Sequence, residues 1–101
     1  MQGVIWSIEE TALCFYQNST GEGYRRLEET LQQLDMVIGE VEIFQKQNGT
    51  IVLDGNKMFG HLEDAMAALE QKDVLQLSDI LQYEIKPLLE EWHEQYIFAI
   101  E

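Results

Sequence analysis

Cysteine occurs once in this chain of 101 residues, proline once, and lysine and arginine together six times. Each scarcity removes a class of protein. A lone Cys14 excludes an internal disulfide and any multi-cysteine zinc site, and its neighbours Ala12, Leu13 and Phe15 predict a buried thiol. Six basic against 19 acidic residues give a formal charge of −13. Nucleic acids and anionic membranes are both held through Lys and Arg, so neither is expected as a partner. No apolar run approaches the ~20 residues that span a bilayer, and Met1 to Trp6 carries no basic segment of a secretory signal. The expected setting is the cytoplasm.

What the chain has is helical periodicity. Tyr24, Leu27, Leu31, Leu34, Ile38 and Val41 recur at steps of three and four, as do Leu77, Leu81, Ile85, Leu88 and Trp92, with Tyr96 one step on. At 3.6 residues per turn each set lies on one stripe of an α-helix. Ile5, Ile8, Ala12, Phe15 and Tyr16 predict a first helix over 3–16. Asn18 to Gly23 combines cap formers with two glycines and predicts the turn that follows. Helix two is expected from Glu22 or Tyr24 to Gln47, with Gly39 inside it marking a close helix crossing. Asn48-Gly49 ends it, and a connection over 48–56 contains the β-prone run Thr50 to Leu53.

Helix three is expected from Asn56 or Lys57 to Glu70, with Phe59, Leu62, Met66 and Leu69 turned inward. Asp73 caps a fourth helix that continues to about Phe98. Pro87 lacks an N–H and its ring clashes with the carbonyl of Tyr83, so this helix should kink near Tyr83 to Pro87 or restart at Pro87. A shift of 53 residues lays Glu10-Thr-Ala-Leu13 on Glu63-Asp-Ala-Met66 and Thr20 on Asp73. A further slip of one residue pairs Leu27, Leu31, Leu34 and Ile38 with Leu81, Ile85, Leu88 and Trp92. The expected fold is all-α: one domain over 1–101, an antiparallel four-helix bundle of two αα-hairpins with the last helix kinked at Pro87.

Chemistry is sparse. Glu90 and His93 form a Glu-x-x-His pair, but a di-metal bundle site needs a second such pair, and the residue three before His61 is Met58. No metal ligand, cofactor or catalytic residue is therefore assigned. Gly21-Glu-Gly23 lacks the lysine and the strand–helix context of a phosphate loop. Adjacent carboxylates such as Glu28-Glu29 diverge by about 100° on a helix and form no acid–base pair.

Gly23-Tyr24 leading into Leu27 to Leu34, then Ala68 to Asp73 and Leu77 to Trp92, resembles a group of small acidic all-helical proteins of Gram-positive bacteria. Some of these are associated with flagellar or motility gene neighbourhoods. Tyr83-Glu-Ile-Lys-Pro-Leu-Leu-Glu-Glu-Trp92 is the distinctive stretch. The resemblance implies an accessory or chaperone-like helical protein and transfers no catalytic residue.

Aromatic and aliphatic residues crowd both ends of the chain. Packing Trp6 on the C-terminal aromatics is the plain expectation for four antiparallel helices, and an incompletely covered apolar patch is the functional one. The function expected is a non-enzymatic module that binds another protein or a second copy of itself, through Trp6, Trp92, Tyr96 and Phe98, with Ile51 and Leu53 as secondary contacts. A metal-dependent bundle enzyme and a purely self-associating bundle are the alternatives.

Overall fold

A computed structural model describes residues 1–47, 49 and 53–100, the last four of these by backbone alone. It is all-α. Helix α1 spans Gln2–Tyr16, α2 Thr20–Gln47, α3 Gly55–Glu70, α4 Val74–Ile80 and α5 Lys86–Ile100; a π turn, Leu81–Ile85, joins the last two. None of the described helices is long and apolar enough to cross a membrane.

Three side-chain pairs fix the direction of α1 against α2. Ser7 Oγ donates to Gln33 Oε1 at 3.0 Å, Thr11 meets Thr30 at 3.0 Å, and the Phe15 ring lies edge-on to Tyr24 with centroids 5.3 Å apart. One residue number rises while the other falls, so the helices are antiparallel. Glu9 with Lys86, and Tyr16 with Asp79, show the same for α1 against the final helix. Helix α1 is thereby central: α2 packs on one side of it and α4, the π turn and α5 on the other, while α3 packs on α4 and the π turn. The core joins Ile8, Phe15, Leu34, Leu77, Leu81, Ile85, Leu89 and Trp92, each almost fully buried.

Both hairpins turn by the same device. Asn18 takes φ +64° and Lys72 φ +57°. In the first turn Ser19 N–H reaches Cys14 O at 2.8 Å and Asn18 N–H reaches Phe15 O at 3.1 Å; in the second, Asp73 N–H reaches Ala68 O at 2.9 Å and Lys72 N–H reaches Leu69 O at 3.0 Å. This is the paired bonding of a Schellman motif, with the left-handed residue just past the helix end. Corresponding atoms are 54 residues apart in both turns (Cys14 to Ala68, Asn18 to Lys72, Ser19 to Asp73). The spacing of 53 expected at the turns is corrected, and Ser19, not Thr20, is the counterpart of Asp73. Asp54 and Asp73 cap the helices that follow, accepting from Lys57 N at 2.9 Å and Gln76 N at 3.1 Å.

Four further expectations need correction. The first turn covers only Gln17 to Ser19, and both Gly21 and Gly23 lie inside α2. Gly23 is there for space, since a Cβ on it would sit 2.7 Å from Phe15 Cε1. Gly39 marks no close crossing, because a Cβ there would meet nothing within 4 Å. Of the four residues expected inward on α3, Phe59 is exposed, while Leu62 and Leu69 are partly buried against the core; the fully buried positions are Met58, Ala65 and Ala68, a stripe rotated toward the small residues that allow close approach. Cys14 is half-buried rather than buried.

At Pro87 the helix does not restart: α4, the π turn and α5 follow one another without a break. Lys86 N–H bonds to Leu81 O, five residues back, so the turn before the proline holds one extra residue. The wider turn accommodates the Pro87 ring, which in regular α-geometry would meet the Tyr83 carbonyl. Ile51 falls outside the described residues, as do Asn48, Thr50 and Val52.

Candidate functional site

The burial pattern separates the expected contact residues. Trp92 is 1% exposed and Leu53 3%, and both belong to the core. The expectation that they face a partner is corrected: Trp92 follows Leu88 and Leu89 on the inward stripe of α5, and Leu53 packs into the core with its carbonyl accepting from Gln45 Nε2 at 2.7 Å. Among the described residues the Trp92 indole N–H has no hydrogen-bond partner. Tyr96 is partly exposed and tilts against Phe44 with ring centroids 4.9 Å apart, so part of its surface is already used within the chain. The side chain of Phe98 lies outside the described residues, as does all of Ile51.

Trp6 behaves differently from the packing expected for it. It is 61% exposed although it sits in the middle of a well-packed helix whose other face carries Val4, Ile5 and Ile8 in the core. Positions 6, 9, 13 and 16 share a stripe of α1, placing Trp6, Glu9, Leu13 and Tyr16 in a row. Leu13 is 52% exposed. Across from this row the π turn presents Tyr83, 70% exposed. Leu13, Tyr16, Tyr83 and Lys86 line a shallow concavity of about 370 Å³ between α1 and the π turn.

The polar groups of this face are pinned in place. Lys86 Nζ bonds Glu9 Oε1 at 2.8 Å, and this contact holds the ammonium pKa above its ordinary value. The Tyr16 hydroxyl donates to Asp79 Oδ1, and partial burial followed by that bond raises the phenol pKa. Arg26 spans the neighbouring groove to Glu10 at 2.5 Å. Lys86 is thus neutralised locally, and Asp79 adds negative charge to a chain that is acidic throughout. A rigid platform of exposed Trp, Leu and Tyr with fixed polar edges suits recognition: it offers a large apolar contact and few rotamers to immobilise on binding.

A second concavity, about 410 Å³, separates α2 from α3, with Val41, Met58 and Trp92 at its base and Ile38, Phe59 and Leu62 along it. Among the described residues the Glu-x-x-His pair does not converge on a partner carboxylate: Glu90 is exposed, while His93 is half-buried beside Phe44 and Tyr96. His61 instead meets Glu84, with Nδ1 3.6 Å from Oε2, and Asp64 stands next to both. The sequence signal for that grouping is His61-x-x-Asp64 at i, i+3, readable in the chain but without value until Glu84 is brought across.

The family described as Domain of unknown function (DUF8042) matches residues 1–95. No curated protein matches the chain, and no solved structure does.

Proposed function

This chain belongs to the DUF8042 family, whose description assigns no activity, and we propose that it is a non-enzymatic helical module, adaptor or chaperone-like, that docks a basic amphipathic helix of another protein. The carrying observation is the grouping of exposed Trp6, Leu13 and Tyr83 on α1 and the facing π turn, whereas exposed Met36, Ile43, Phe59 and Leu75 are spread over α2, α3 and α4. Exposed apolar side chains grouped in this way mark interaction sites, and Trp and Tyr are the residues that most often dominate binding energy. The net charge of −13 and Asp79 at the edge favour a partner carrying Lys and Arg around an apolar stripe, with long-range attraction speeding the encounter. The resemblance to small acidic all-helical proteins, some of them associated with motility gene neighbourhoods, agrees with an accessory role. We place the protein in the cytoplasm, apart from membranes and nucleic acid.

The test uses a synthetic Lys/Leu peptide patterned as an amphipathic helix, with a sequence-scrambled peptide of the same composition as control. Trp92 is already buried, so a blue shift of tryptophan emission on binding reports Trp6. Saturable binding of the patterned peptide is expected, and Trp6→Ala or Tyr83→Ala should weaken it by about 30-fold, the loss of one dominant contact. Equal binding of the scrambled peptide would reduce the interaction to charge alone. A concentration-dependent dimer in light scattering that buries Trp6 would make the occupant a second copy of this chain.

A further inference from the structure

The geometry points to a divalent-cation site made by His61, Asp64 and Glu84, of the mixed nitrogen–oxygen type that takes Zn²⁺. His61 and Asp64 are three residues apart on α3 and share a face. Glu84 comes from the π turn, so the donors arise on two elements far apart in sequence. One ligand atom from each lies within 4.8 Å of the other two, and His61 Nδ1 to Glu84 Oε2 is 3.6 Å. Zinc bonds of about 2.0–2.2 Å place the ligands of a tetrahedron roughly 3.3–3.6 Å apart, so one edge is already formed. The remaining approach falls to the carboxylates, which are exposed, while the imidazole is mostly covered: the His61 side chain is 18% exposed against 45% for Glu84.

The donor chemistry favours a cation over an internal ion pair. Two carboxylates converge here, and among the described residues neither has a lysine or arginine within 4.0 Å. The only cation available within the group is a protonated His61, which could answer one carboxylate and not both. A neutral imidazole with two carboxylates instead balances one divalent ion and leaves a fourth position for water. Such an ion would clip α3 to the π turn. Because the turn exists to accommodate Pro87, the same local irregularity that widens the helix also carries the third ligand. π-turns recur at functional positions in helices.

Calorimetric titration of the chelator-stripped full chain with zinc chloride tests the site. Wild type should bind one equivalent, with the His61 ring resonances shifting and thermal stability rising. Glu84→Gln and His61→Gln should each weaken binding at least ~10-fold and remove the thermal gain, while His93→Gln should leave both intact. Glu84 is exposed, so its variant keeps the test valid should His61→Gln unfold. No saturable zinc binding by wild type, unchanged affinity in Glu84→Gln, or loss in His93→Gln instead would each overturn the assignment. None of these outcomes bears on peptide docking at Trp6.

Discussion

The ring of Phe15 occupies the space that a side chain on Gly23 would need: a Cβ there would lie 2.7 Å from Cε1 and 2.8 Å from Cδ1. Gly23 sits inside α2, where alanine ordinarily stabilises a helix by up to about 1 kcal/mol. Packing reverses that sign here. Gly23→Ala should destabilise by about 1–3 kcal/mol, because Phe15 is itself buried and has no free direction in which to move. Gly39→Ala, with open space around it, should stabilise by about 0.5–1 kcal/mol. Urea denaturation of the two variants checks both signs.

A buried hydroxyl pair makes a second contrast. Thr11 Oγ1 donates its only hydrogen to Ser7 O at 2.7 Å, so Thr30 must be the donor across the 3.0 Å contact with Thr11. Both residues are fully buried. Thr11→Val strands the Thr30 hydroxyl and should cost about 1–3 kcal/mol, whereas Thr30→Val leaves Thr11 satisfied and should cost less. Equal losses in thermal unfolding would contradict this assignment of donor and acceptor.

Trp92 provides a test of its relocation from surface to core. Trp92→Ala should cost about 3–5 kcal/mol through the cavity left behind. Trp92→Phe keeps much of the apolar fill and deletes an indole N–H that has no acceptor among the described residues, so its cost should be far smaller. A small effect of Trp92→Ala on the denaturation midpoint would return this residue to the surface.

The alkaline side of the stability profile follows from two raised pKa values. Burial and then Asp79 raise that of Tyr16, and the bond to Glu9 raises that of Lys86. Both groups bind their protons more tightly folded than unfolded, so their contributions are fully present below the ordinary values near ~10 and are lost as pH rises beyond them. Urea midpoints measured from about pH 8 to about pH 11 should fall at the upper end. Tyr16→Phe should flatten that fall, and a profile that rises instead would contradict it.

Helical content and the two hairpins were legible because apolar side chains at steps of three and four leave little alternative, and the Asp73 cap and the disturbance before Pro87 each have a local cause. Facing was less legible. On α3 the stripes through Met58 and Phe59 are one residue apart, and only the close approach allowed by Ala65 and Ala68 selects the first. Trp6 and Trp92 are chemically alike in the sequence; tertiary packing decides that one is a core residue and the other an exposed one. The turn glycines misled for a related reason, since Gly23 answers to Phe15 eight positions earlier rather than to the turn beside it. The His61–Glu84 approach depends on a π turn whose extra residue no periodicity records.

On the proposed function, another protein's basic helix binds the face formed by Trp6, Leu13, Tyr16 and Tyr83. Amide and indole shift mapping of nitrogen-15-labelled protein, titrated with the patterned Lys/Leu peptide, tests it most directly. Perturbations should cluster on α1 around Trp6 and Leu13 and on the π turn around Tyr83, with the Trp92 indole undisturbed. Perturbations centred on Ile38, Phe59 and Leu62 between α2 and α3, or none at saturating peptide, would contradict it.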